Sequence, residues 1–236
     1  DPMVGSFNPS MCWKGHGSDG MGGQQLSELG EGVDIQQECA AFALIQLANK
    51  FPGDLEILAL GPLTNLALAA KLDPSFPSKI KHVTAMGGCT HAKGNSSAMA
   101  EFNFHADPEA AHAVMHNFLP EKGGGPRITL VTWECTFDHV LPFDFFDSLT
   151  PPRNPSEHGI FLAKLTTELI KITKDAGMGF LPCDAYASAV CEKPDIVTKS
   201  SDLKCDIELA GLLSRGACAF QWYKTGMEGE EANVRV

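Results

Sequence analysis

The sequence predicts an α/β fold, an open and mostly parallel sheet flanked by helices. Three observations carry this. Short apolar runs of strand length recur at LEILAL, IKHVTAMGG and ITLVTWEC, and stretches with apolar residues three and four apart lie between them. Each run leads into glycine, proline or a capping residue, as strand-to-helix connections do. Only the last pair, CDIELAG and ACAFQWY, reads as antiparallel neighbours. Alternation of this kind is the pattern of a parallel sheet with crossover helices.

The elements follow in order. Residues 1–32 are rich in glycine, serine and polar groups and read as a loop region. VDIQQECAAFALIQLANKF has the spacing of an amphipathic helix. LEILAL (55–60) is predicted as a short buried strand, and Thr64 as the cap of the helix after it. IKHVTAMGG (80–88) is a second strand with a glycine exit. Residues 107–119 form a helix with Asp107 as N-cap and Pro108 in its first position. ITLVTWEC (128–135) is the third strand, FLAKLTTELIKITKDAG (161–177) one long helix, and AYASAV a further helix after PCD, with simple N-capping as the plain structural alternative for Asp184. The whole of 1–236 is expected to be one domain.

Composition narrows the function classes. At 44% hydrophobic and 20% charged, the chain has the make-up of a globular protein rather than a disordered one. A net charge of −11 gives no electrostatic footprint for nucleic acid and repels anionic membrane surfaces. The longest apolar runs are too short to span a bilayer. Eight cysteines without a CxxC pair fit scattered thiols in a reducing compartment, so a cytoplasmic location is expected.

Two motif matches fail on context. Gly15-His16-Gly17-Ser18-Asp19-Gly20 has the spacing of a dinucleotide loop but lacks a strand before it and a helix opening on it. Cys89 with His91, and Cys183 with Asp184, are neighbours in sequence, which seldom makes a nucleophilic dyad, and cysteines in apolar runs are usually inert packing. The stretch GNSSAMAEFN (94–103) is different. It gathers Asn95, Glu101 and Asn103 just beyond IKHVTAMGG, at the carboxyl edge where such sheets bind ligands. Read as extended chain, Glu101 and Asn103 point the same way, and a carboxylate with two carboxamides suits a cis-diol. The alternative is a loop tie: Asn95 in a turn, Glu101 facing solvent and Asn103 as a cap.

ALGPLTNLALAAKLDPS, then MGG, then GNSSAMAEFNFHADPEAA closely resemble the inosine/uridine-preferring nucleoside hydrolase family. HGSDGMGG, PCDAYA, ELAGLLSRG and NVRV fit the same family in the same order. The resemblance implies a Rossmann-like core, hydrolysis of the N-glycosidic bond of ribonucleosides to ribose and base, a bound Ca2+ and a homo-oligomer. It implies that Asn95, Glu101 and Asn103 hold the ribose, that the Leu60 carbonyl and Asp184 hold the metal, and that His16 lies at the pocket mouth. Two departures stand out. The family's aspartate-rich opening strand is missing, so the chain is expected to be a piece lacking its first strand and helix and its extreme C-terminus. Cys183 stands where the family carries a histidine assigned to leaving-group protonation, as in an animal-like Cys-Asp variant. The alternative function is therefore a catalytically impaired homologue that binds nucleoside or ribose.

Overall fold

The computed structural model describes residues 2–4, 22, 36–120, 127–223 and 231–236. Its contacts divide into two compact units, residues 1–8, 38–135 and 183–236 in the first and residues 9–37 and 136–182 in the second. Among the described residues the first unit holds a six-stranded sheet in the order β1-β2-β3-β6-β4-β5. Its strands are β1 (Leu55–Ala59), β2 (Ile80–Met86), β3 (Ile128–Val131), β4 (Asp202–Ile207), β5 (Cys218–Gln221) and β6 (Val234–Arg235). β1, β2, β3 and β6 run parallel, while β4 is antiparallel to β6 and to β5. This is the mostly parallel sheet with a late antiparallel pair that the sequence predicts.

Helices α1 (Ala40–Lys50), α2 (Thr64–Leu72), α3 (Phe76–Lys79), α4 (Phe102–Ala106) and α5 (Pro108–Asn117) supply the main core. There Phe76, Phe104, Phe118 and Met115 meet Val83, Ala85, Ile128 and Val234 of the strands. α10 (Cys183–Glu192) packs against β1, β2 and β3, and its Ala187 joins Met86 and Val131 in a second apolar cluster. The second unit holds α7 (Phe143–Leu149), α8 (Glu157–Leu165) and α9 (Thr167–Asp175), with a bridge between Leu141 and Phe180 and with Phe146 against Phe180. The chain enters this unit within α6 (Trp133–Asp138).

Several local expectations give way to tertiary context. α1 starts only at Ala40, because Gln36–Cys39 are exposed and have no apolar face to bury; residues 33–35 lie outside the described residues. β1 alternates between half-buried and exposed positions, because β2 is its only partner among the described residues and Leu58 stays 36% exposed. The run ITLVTWEC leaves the sheet after Val131 and turns into α6 at Trp133. The predicted helix 161–177 is two helices broken at Thr166. There the hydroxyls of Thr166 and Thr167 bond back to the carbonyls of Leu162 and Ala163, a pattern that bends helices. α10 begins at Cys183, so Asp184 sits in its first turn and is not its cap.

Asp107 is the cap that the sequence predicts, and more. Its Oδ1 accepts from Ala110 N–H at 3.1 Å, as an N-cap should. Its Oδ2 accepts the Thr64 hydroxyl at 2.6 Å and Met3 N–H at 2.9 Å, so one buried carboxylate pins α2 to α5. Thr64 is accordingly the first residue of its helix, not the cap. Removing a buried acceptor strands its donors, which costs about 1–3 kcal/mol. Asp107→Ala is therefore expected to lower unfolding free energy by roughly that amount or more, and Thr64→Val by about 1 kcal/mol. Urea unfolding of the two single variants and the double variant checks this. The double variant should lose clearly less than the sum, since both substitutions break the same bond.

Candidate active site

The exit of β2 is built from backbone that only glycine supplies. Gly88 lies at φ +75°, and a Cβ there would sit 2.7 Å from the Cys218 sulfur. Its N–H donates to Glu101 Oε2 at 2.9 Å. Further along, Gly94 passes so close to the backbone of Ser97 and Ala100 that no side chain fits. These contacts fold residues 94–100 into a tight loop that returns Glu101 to the end of β2.

Glu101 is the N-cap of α4 and is only 2% exposed. Its carboxylate accepts from Asn103 N–H at 2.8 Å and Phe104 N–H at 3.3 Å as well as from Gly88. It does not face solvent, and with Asn103 in the first turn of α4 the two residues do not form the extended pair read from the sequence. Burial raises the Glu101 carboxyl to about 7; the three N–H donors pull it down, and the charge of Asp184 adds to the rise. Asn103, also buried, donates through Nδ2 to the Met86 carbonyl at 2.9 Å. Asn95 Oδ1 accepts from Phe102 N–H at 2.8 Å, so the group it has left for a ligand is its Nδ2 donor pair.

The sheet's carboxyl edge thus brings Asn95, Glu101 and Asn103 together around the end of β2, and Asp184 is near enough for its charge to reach Glu101. Cys183 packs against Met86, Val131 and Ala187 beside them. Leu60 directly follows β1, whose Ala59 is in register with Ala85 of β2. His16 lies outside the described residues. Cys89 is buried, its thiol donates to the Lys93 carbonyl and burial pushes its pKa far up, which disarms it as a nucleophile. A separate cavity of about 590 Å3 runs along the sheet face that α10 covers, lined by Glu56, His82, Thr84, Thr129 and Val190. None of Asn95, Glu101, Asn103 or Asp184 lines it.

One organiser escaped the sequence reading. Glu134, 6% exposed, accepts from the N–H groups of Thr90, His91 and Lys93 and from the Thr90 hydroxyl. It bends that loop around Ala92, whose φ of 55° is left-handed. The His91 ring stacks on Trp222 at 5.9 Å with 14° between planes. The sequence signal was weak, a single acid inside an apolar run.

The Leu60 carbonyl and the Asp184 carboxylate are hard oxygen donors, the kind calcium prefers, and they fit in type. Two are fewer than the roughly six to eight that calcium takes, so further oxygens would have to come from water, ligand hydroxyls or other carboxylates. One group of a different kind among the described residues could also hold a metal ion: His112, His116 and Asp206.

A mostly parallel α/β sheet with a buried carboxylate and two carboxamides gathered at its carboxyl edge defines the class as an α/β protein with a polar cluster where such sheets bind ligands. The chain belongs to the inosine-uridine preferring nucleoside hydrolase family, whose model matches residues 1–236. It is 43% identical to "Uridine nucleosidase 1" of Arabidopsis thaliana over 84% of the chain and 56% of that protein. It is 28% identical to "Inosine-uridine preferring nucleoside hydrolase" of Crithidia fasciculata over 85% of the chain and 61% of that protein. In structure it is similar to "Inosine-Guanosine Nucleoside Hydrolase (IG-NH)", with a TM-score of 0.83 and 32% identity over 99% of this chain and 73% of that one. The chain spans between 30% and 61% of the length of the curated plant and protozoal relatives it matches.

Glu101 gives this site a pH signature. The folded carboxyl, at about 7 against an ordinary 4.5, keeps a proton that the unfolded chain releases in between. Its contribution to stability is therefore full below pH 4.5 and is lost as pH rises to about 7. The loss is on the order of 3 kcal/mol in all. Urea midpoints measured across this range with a chelator present should fall in the native protein. Glu101→Gln, which cannot ionise, should flatten that slope; an unchanged slope would mean that Glu101 does not carry the buried proton.

Proposed function

We propose that the protein hydrolyses the N-glycosidic bond of ribonucleosides to ribose and free base, with Asn95, Glu101 and Asn103 holding the sugar and with the Leu60 carbonyl and Asp184 holding Ca2+. The observation that carries this reading is the placement of two carboxylates, Glu101 and Asp184, at one sheet edge in a chain that the family model matches throughout. Breaking the bond builds positive charge on the ribose ring, so a fixed negative environment favours the transition state over the neutral substrate. Glu101, raised to about 7, can accept from a ribose hydroxyl when ionised or donate to one when protonated. Its three backbone donors fix its direction before substrate arrives, so little reorganisation is left for the reaction. Asn103, tied to the Met86 carbonyl, is likewise held in place, and Asn95 offers donors to the same sugar. When bound, calcium would supply a Lewis acid that lowers the pKa of a coordinated water.

Cys183 favours a second reading. The departing base needs a proton or a strong donor, and a thiol with an unperturbed pKa of about 8.5 is a weaker acid at neutral pH than imidazolium. A homologue that binds nucleoside without turnover would keep the three sugar-binding residues and the Cys183-Asp184 pair.

Base release from uridine and inosine, followed by chromatography on purified full-length protein, separates the readings. The enzyme reading expects turnover that a chelator abolishes and Ca2+ restores. Asp184→Ala and Glu101→Ala should each lose about 100-fold or more in kcat/KM, provided circular dichroism shows a native fold. Equal activity in both variants overturns the assignment. Saturable ribose binding with no base released selects the second reading.

A further inference from the structure

We propose that His112, His116 and Asp206 form a binding site for a borderline transition-metal dication such as Zn2+, apart from the candidate active site and joining α5 to β4. His112 and His116 stand one turn apart on α5, where side chains four residues apart meet on one face. Their rings lie 4.2 Å apart between centroids. His112 Nδ1 reaches Asp206 Oδ1 at 2.8 Å, and His116 Nε2 reaches the same oxygen at 3.1 Å. That oxygen also accepts the Ile207 N–H at 2.7 Å. Three groups thus crowd one carboxylate oxygen, which has only about two lone pairs to offer them.

A metal ion relieves this crowding. All three ligand atoms lie within 4.8 Å of one another. An ion at the usual Zn–N and Zn–O distances of about 2.0–2.2 Å can therefore be met by small side-chain rotations. It would replace the protons that the imidazoles now direct at Asp206 with three coordinate bonds. Two imidazole nitrogens and one carboxylate oxygen select Zn2+ and its first-row neighbours over Ca2+, which prefers an all-oxygen shell. The three side chains are 37%, 39% and 49% exposed, so an ion can enter from solvent and a water can complete a four-coordinate shell. The ligands come from positions 94 residues apart, so occupancy clamps a helix of the core to a strand of the sheet. The site requires nothing of the proposed nucleoside chemistry and stands or falls independently of it.

Isothermal titration of the metal-free protein with Zn2+, and absorption spectroscopy with Co2+ as the probe, test the site. The expected result is a single saturable equivalent, insensitive to excess Ca2+. Co2+ should give d–d bands without the intense near-ultraviolet charge transfer that thiolate ligands produce. His112→Ala with His116→Ala, and separately Asp206→Asn, should weaken Zn2+ binding by roughly 10- to 100-fold or more. They should also abolish the rise in Tm that Zn2+ gives the native protein, while the metal-free Tm of Asp206→Asn confirms a folded variant. No saturable binding, unchanged affinity in both variants, or a thiolate signature would each overturn the proposal. Asp184→Ala should leave Zn2+ binding intact, which keeps this outcome separate from that of the nucleoside reading.

Discussion

A carboxylate buried against three backbone N–H groups holds this end of the molecule together. Glu101 links the exit of β2, through Gly88, to the first turn of α4, through Asn103 and Phe104. It works with the bond from Phe102 N–H to Asn95 and the bond from Asn103 to the Met86 carbonyl, which fix the two carboxamides on either side of it. An uncharged cap would do the tethering more cheaply, because burying a carboxylate costs desolvation that the three donors only partly offset, as its rise to about 7 shows. A buried acid raised by desolvation, with the charge of a second acid reaching it, is an arrangement that clusters at functional sites, though structural networks produce it too.

The same device appears twice more, and the comparison sharpens the reading. Asp107 gathers Ala110, Thr64 and Met3, while Glu134 gathers Thr90, His91 and Lys93. All three acids organise backbone amides, so organising amides alone does not mark a functional group. Position and field separate them. Asp107 lies at the start of α5 between two core helices, whereas Glu101 stands at the carboxyl ends of parallel strands and within reach of the charge of Asp184. Glu134 falls between these cases. It holds the loop that carries His91 against Trp222, so its effect on any ligand would run through that loop's shape.

How much of this was legible in the sequence depends on how local each determinant is. Asp107 before Pro108, the alternation of strands with helices and the 94–103 block are written in neighbouring residues, and the structure contains them. Thr64 was misread because its hydroxyl bonds Asp107, 43 residues away, a partner that no local pattern names. The break at Thr166 and the early end of β3 at Val131 follow from back-bonding and from packing that periodicity cannot see. Glu101 was expected either to bind a sugar or to face solvent, and its burial could be read only once Gly88 and Phe104 were placed around it. His112 and His116 were visible at helical spacing, but without Asp206 they were merely two histidines on a helix.

Ligand chemistry then sets what the chain can bind where. The proposed nucleoside site would offer carboxylates, carboxamides and the Leu60 main-chain carbonyl, hard donors that would suit a polyol and an alkaline-earth cation together. The α5–β4 junction offers imidazole nitrogen, which a cation that favours oxygen passes over and Zn2+ does not. Under the two proposals one chain would sort two kinds of ion by donor type. Charge supports both sites, since a net −11 concentrates cations near the surface before either site selects among them. The two proposed sites also differ in what they would do: the edge would act on a substrate's developing charge, whereas the junction would act on the fold by clamping a core helix to the sheet.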